Sequence, residues 1–215
     1  MKVRGPLITL AAVAALGVGV LTVNISQEPD SVVPGTPVAA STPAPTTPAP
    51  PPVPPAPAFP AKADYVAKIP TANGTITLDI SVQGDKAVAY ACDGNSIESW
   101  LRGSAVNGAV SLASKDGTGR LEGRLDGKAV VGTLWIGQKK WAFTAEPAQP
   151  PAGLYVYEEA GVRSSWIIDS SGKATGVLRY VDGSTVPAPG LTAGGRAVID
   201  GRMVAATRVQ GDSDV

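Results

Sequence analysis

Few residue sets in this chain have the types and spacing to do covalent chemistry. Ser170-Ser171-Gly172-Lys173 has the S-x-x-K spacing of penicillin-interacting enzymes, in which a serine nucleophile works beside a lysine. That nucleophile normally opens a helix of a much larger domain, whereas these four residues fall where two short strands should turn, so the motif reads as a turn. Paired carboxylates hydrolyse a glycosidic bond when held about 5–10 Å apart across a cleft. The nearest pairs here are Asp93 with Glu98 and Glu158 with Glu159. Adjacent residues on a strand point to opposite faces, so Glu158 and Glu159 cannot flank one substrate, and Asp93 is accounted for by an Asp93-Gly94 turn. The chain has no histidine, which removes Ser-His-Asp and Cys-His nucleophile activation. With Cys92 as its only cysteine it also lacks a Cys/His zinc site and any internal disulfide. The expectation is a protein that is not an enzyme, with no cofactor, no catalytic residue and no metal ligand.

Cys92 shares a strand face with Val88 and Tyr90, which makes it a small buried apolar residue; an intermolecular disulfide is the alternative. The four tryptophans, Trp100, Trp135, Trp141 and Trp166, are read first as core packing and second as an interaction surface, should several of them share one face or mouth. Lysine and arginine total 18 against 18 acidic residues, with no basic stripe, so nucleic acid is not an expected partner.

The elements that must position these residues are strands. Thr75 to Val82 alternates polar and apolar residues, the pattern of a strand with one buried face. Further strands run through Lys86–Cys92, Trp100–Leu101, Ala109–Ser114, Gly119–Leu125, Val130–Ile136 and Lys140–Ala145. Turns at Gln83-Gly84-Asp85, Gly137-Gln138 and a series of Asn-Gly and Asp-Gly pairs separate them, each Asn-Gly or Asp-Gly pair read as a tight type I′ hairpin. Ser96–Leu101 has a helical turn as its alternative. With a first strand near Tyr65–Ile69 this makes about eight sequential antiparallel strands, enough to close a small barrel, or else an open curled sheet. Glu146–Pro151 breaks the ladder. A smaller β-rich unit follows, with strands at Leu154–Tyr157, Arg163–Asp169, Lys173–Tyr180, Arg196–Ile199 and Val204–Arg208. The loop Thr185–Gly195 is expected to be exposed and residues 210–215 to fray. The fold class is therefore all-β, with a meander over 62–146, a C-terminal unit over 147–209 and a disordered tail.

Before the strands lie two segments of different physics. Gly5–Gln27 carries no charge, follows Lys2 and Arg4, and is long enough to cross the roughly 30 Å apolar core of a bilayer as one helix. The basic residues before it and Glu28 and Asp30 after it set the amino terminus in the cytoplasm and the rest outside. Residues 1–27 are thus read as cytoplasmic tip and signal anchor, contacting the membrane through 6–25, with cleavage and secretion as the alternative. Residues 28–61 form a disordered linker: Pro29 to Pro60 holds 13 of the 20 prolines and no charge separates Asp30 from Lys62.

Ala89-Tyr90-Ala91-Cys92-Asp93-Gly94, Trp100-Leu101-Arg102-Gly103, Ala152-Gly153-Leu154-Tyr155 and Val198-Ile199-Asp200-Gly201 resemble uncharacterised exported proteins of actinobacteria. Those proteins are similar in joining one amino-terminal anchor and a Pro/Ala/Thr spacer to a β-rich extracytoplasmic domain. The resemblance implies a bacterial envelope setting, and with it an unglycosylated Asn73-Gly74-Thr75; it carries over no catalytic residue. The expected function is a membrane-anchored structural or interaction module with an envelope protein partner. A small barrel holding an apolar small molecule, lipid or glycan is the alternative.

Overall fold

The computed structural model describes residues 57–159 and 161–215, and these are all β with no helix. The apolar run at 6–25 and the linker up to residue 56 lie outside the described residues. Eight antiparallel strands, β1 (Lys62–Thr71), β2 (Gly74–Gln83), β3 (Lys86–Cys92), β4 (Glu98–Val106), β5 (Ala109–Ala113), β6 (Gly119–Asp126), β7 (Ala129–Ile136) and β8 (Lys139–Ala148), form a closed barrel in sequence order. The seam is short: Asp64, Tyr65 and Val66 of β1 pair with Ala148, Pro147 and Glu146 of β8. Closure rather than an open sheet follows from the interior. Large residues face small ones across neighbouring strands, Leu78 opposite Ala91, Ile80 opposite Ala89, Leu112 opposite Gly103 and Phe143 opposite Gly132. An eight-stranded barrel has room for side chains and little else. Leu78, Ile80, Ala89, Leu101, Leu121, Leu134 and Ala145 are 0% exposed, so no water-sized void touches them.

Five of the two-residue hairpins are of two kinds. Asn107-Gly108 and Asp200-Gly201 take positive φ at both residues, as a type I′ turn requires. At Gly84, Gly127 and Gly137, which open two-residue loops, only the glycine does, the pattern of a type II′ turn. Asp126 is accordingly the last residue of a strand and not a turn residue, and at Asp93-Gly94, Asp116-Gly117 and Asp182-Gly183 too only the glycine has positive φ, which corrects the type I′ expectation for these Asp-Gly pairs. Glu98 to Leu101 is strand and not a helical turn.

Seven shorter strands complete the chain: β9 (Gly153–Glu159), β10 (Val162–Ile168), β11 (Ala174–Arg179), β12 (Thr185–Pro187), β13 (Arg196–Ile199), β14 (Arg202–Ala205) and β15 (Thr207–Arg208). They make a five-stranded sheet in the order β12-β11-β10-β9-β15 and a β13–β14 hairpin. One face of that sheet, through Leu154, Ile167 and Val177, packs on the outer barrel wall at Val66, Val88, Tyr90 and Cys92. Its other face, through Tyr155, Trp166, Ile168 and Leu178, is covered by the hairpin and Leu191. Two expectations change as a result. The 185–195 segment, largely exposed as expected, is not all loop: it supplies strand β12 and buries Leu191. The last residues, expected to fray, lie along the barrel: Gln83 donates to Asp212 (2.8 Å), Arg102 to Asp214 (2.5 Å), and Val215 packs on the cluster between barrel and sheet.

Candidate functional site

The four tryptophans do not meet on one face. Trp166 is 1% exposed beneath the hairpin and donates its indole N–H to the Pro189 carbonyl at 2.7 Å. Trp141 packs against the barrel's interior cluster. Its neighbour strand places Trp135 opposite Lys140, with the Arg120 guanidinium 5.3 Å from the ring centre. Trp100 lies on the outer barrel wall against Tyr90, ring centres 4.6 Å apart, with Arg163 stacked 4.6 Å above it.

Around Trp100 the structure builds a polar cluster between barrel and sheet. Glu98 accepts two hydrogen bonds from Arg179, at 2.9 and 2.6 Å, while Tyr90 and Ser165 donate to its other oxygen at 3.2 and 3.4 Å. Burial, then the neighbouring Cys92 and Glu98, holds the Tyr90 phenol well above its ordinary range. Every polar atom of Glu98 is engaged in joining the two layers. Asp93, its expected partner, is engaged elsewhere: burial opposes its ionisation, but the amides of Asn95, Ser96 and Ile97, at 2.8–2.9 Å, outweigh that and lower its pKa. Glu158 pairs with Arg163 at 3.1 Å and Glu159 accepts from Tyr157 at 2.8 Å.

Ser170–Lys173 forms the β10–β11 turn, organised by Asp169, which accepts from Ser171 (backbone and hydroxyl), from the Lys173 amide and from Lys68 of the barrel. Against the cost of burial, those donors bring the Asp169 carboxyl down to about 2. Cys92 is a free, fully buried thiol, pushed up to about 12 by burial. Among the described residues no group of three or more His, Cys, Asp or Glu side chains is placed to hold a metal ion.

The most built polar site lies elsewhere, in a groove of about 330 Å³ between the start of β1, the end of β2, the β8–β9 crossover and the β15 end. Its floor is a chain of hydrogen bonds assembled from both ends of the domain. Arg208 donates to Asp64 at 2.9 Å, to the Ala152 carbonyl at 2.7 Å and to the Tyr155 hydroxyl at 3.1 Å. Ser81 Oγ lies 2.7 Å from Asp64 and 2.9 Å from Asp79. A hydroxyl has one proton to give, so one of these contacts must run the other way. Asp79 is 0% exposed, and burial together with the Asp64 charge raises its pKa well above the carboxylate range. Asp79 therefore keeps its proton and donates to Ser81, Ser81 donates to Asp64, and Asp64 takes the charge of Arg208. The unpartnered Asp79 Oδ2 is then the carbonyl oxygen of a neutral acid, less costly to bury than a carboxylate oxygen. Gly153, at φ +139°, lets Arg208 lie on the backbone; a Cβ there would come within 2.5 Å of the guanidinium.

Above this floor stand Lys62, Gln83, Gln149 and Gln210. Lys62 donates to Gln210 at 3.0 Å, and Gln83 gives its N–H to Asp212 while its Oε1 has no hydrogen-bond partner among the described residues. None of these was a candidate from sequence. The one signal was Asp79, a carboxylate on the polar side of the most regular strand, and nothing local announced that this side would be covered. Comparison of the chain with protein-family models, with curated proteins and with solved structures found no match.

Proposed function

We propose that this chain is a single-pass, membrane-anchored module of the bacterial envelope whose β domain works on the outer side by binding, not by catalysis. The observation that carries this reading is the groove itself, a concave surface of mixed polar and apolar lining over a floor whose charged groups, Asp64 and Arg208, are already paired with one another. A nucleophile or general base needs a free, poised group; Asp64, Asp79 and Arg208 are spent on each other, which suits a preorganised recognition surface. The uncharged 5–27 run and the proline-rich linker support the placement. The described end of that linker meets the barrel beside the groove, with Phe59 edge-on to Tyr65 at 6.0 Å. A tether of that composition keeps the domain near the membrane, where local concentration substitutes for high affinity.

The alternative, a barrel carrying an apolar molecule in its lumen, would require a ligand to displace side chains that already fill the interior. The test of the first reading is cross-linking of the full chain in intact envelopes, followed by mass spectrometry, alongside protease added outside spheroplasts. The expected outcome is digestion of the β domain from outside and reproducible cross-links to other envelope components. Protection until the cells are broken, or no reproducible cross-link, would count against it.

A further inference from the structure

On the outside of the barrel, strand register assembles a row of residues that no local stretch of the sequence contains. Arg102 stands opposite Ala113, Ala113 opposite Arg120, Arg120 opposite Trp135 and Trp135 opposite Lys140, one continuous line across β4 to β8. Three of the five are cations and none is acidic. The two rows beside it add Arg124 and Glu122 and are otherwise Ala, Ser, Thr and Val. This wall therefore sets four cations against one acid in a chain whose net charge is zero. Arg120, Arg124 and Lys140 are exposed and Trp135 is half-buried, because the five-stranded sheet packs on β1, β3 and β4 and leaves the β5–β8 side bare.

The geometry narrows what such a wall can meet. The outside of a barrel is convex, whereas small ligands take concave sites. Through the row, β4 to β7 are paired on both sides, so the Arg102–Trp135 stretch has no strand edge for a peptide to extend. A convex wall of short side chains with protruding cations fits a broad anionic surface. An indole between cations is also the composition of the bilayer interface, where tryptophan sits at headgroup level and basic side chains are drawn to anionic lipid. Arg102 and Arg120 are engaged with Asp214 and Glu122, but both pairs are solvent-exposed and weak enough to exchange for phosphate.

We infer that this wall docks the β domain on the anionic surface of the bilayer, with Trp135 at headgroup depth and Arg102, Arg120 and Lys140 on lipid phosphate. The inference rests on the reading of residues 5–27 as a membrane anchor and adds a second membrane contact to it. A linker of about 30 residues, with a reach on the order of 90 Å as polyproline II, lets the domain turn this wall to the membrane. No residue of the row lines the groove, so the two are separate sites.

The test uses the full-length chain reconstituted in vesicles of phosphatidylcholine, alone or in equal parts with phosphatidylglycerol, whose acyl chains are brominated near the headgroup. All four tryptophans belong to the β domain, so quenching by bromine reports contact between domain and bilayer. Anionic vesicles quench the wild type and zwitterionic ones do not. Trp135→Phe removes most of the quenching, and Arg120→Gln combined with Lys140→Gln lowers it by about threefold or more. Met203→Ser, in the exposed Val198–Met203 pair of the hairpin, changes nothing. Far-ultraviolet circular dichroism checks that each variant is folded. Absence of wild-type quenching, equal quenching in the two vesicles, quenching that survives the Trp135 and Arg120/Lys140 variants, or loss of it in Met203→Ser would each overturn the inference. Retention on a dextran sulfate matrix that depends on Arg120 and Lys140, without quenching, would give the wall to an anionic polymer and overturn it too. Vesicle flotation keeps the parent reading distinct: a chain that floats unquenched retains its anchor and loses only the docking, whereas one that does not float loses both.

Discussion

Asp79 shows how one residue's protonation is set by the fold. On β2 it belongs to the polar side with Thr77 and Ser81, and in an isolated hairpin it would be a solvated carboxylate. The five-stranded sheet covers it, and the cheapest solution is to keep the proton and pass a hydrogen bond through Ser81 to Asp64. A carboxyl whose folded pKa is raised binds its proton more tightly in the native state, so native stability falls as pH climbs above the ordinary value of 3.8. Asn in that place donates the same hydrogen bond without titrating. Asp79→Asn is expected to raise stability at pH 7 by about 1 kcal/mol or more, a few degrees in Tm, and to change little at pH 4. Thermal melts of both proteins at the two pH values check it, and an equal increment at both would show that Asp79 does not titrate as described.

At the scale of elements, the carboxy-terminal segment after β15 is the piece whose behaviour depends most on tertiary contacts. Val209 is 1% exposed and donates its N–H to the Leu154 carbonyl, and Gly211 is buried against the Val82–Gln83 backbone, whereas the Gln83–Asp212 and Arg102–Asp214 bonds are at the surface. The Asp214 side chain is fully exposed, so its bond to Arg102 is worth little. Arg102→Ala should therefore shift stability by less than about 0.5 kcal/mol. Removal of residues 210–215, which takes away Val215 and uncovers part of the barrel–sheet cluster, should cost about 1–2 kcal/mol. Urea denaturation of the two variants separates these contributions, and a larger loss from Arg102→Ala than from the truncation would reverse the assignment.

Across the whole molecule, barrel and sheet share one apolar cluster, one buried glutamate with its arginine, and the Arg208–Asp64 floor. Neither layer can leave without exposing Val88, Tyr90, Leu154 and Ile167 together. Unfolding is therefore expected to be a single transition, with tryptophan fluorescence and far-ultraviolet circular dichroism superimposing. A plateau in which the barrel survives alone would contradict it. Acid adds a limb of opposite sign to that of Asp79. Asp169, held at about 2 by Ser171, Lys68 and the Lys173 amide in spite of burial, contributes stability that is present above 3.8 and lost as pH falls towards 2. That contribution is on the order of 1 kcal/mol, since Lys68 is partly solvated. The two limbs together place the stability maximum on the acid side of neutrality.

Strand positions were open to reading because period-2 alternation and glycine turns are local: Thr75–Val82 became β2, and seven further strands of the meander fell where alternation and turns put them. The turn types were less so, since whether Asp126 ends a strand or enters the turn depends on register. Trp100 and Trp141 were visible as large residues, but their faces depended on which layer packed outside the barrel. The groove was not legible at all. Arg208 and Asp64 are 144 positions apart, and their meeting is decided by the order in which strands stack. What the sequence by itself determined was the all-β class, the eight-strand count and the absence of imidazole chemistry, because each follows from residue type or short-range spacing. Only the tertiary structure decided that the polar side of β2 is buried, that Asp79 keeps its proton, and that Arg208 meets Asp64 beneath a groove, because each depends on a second layer folding back over the first.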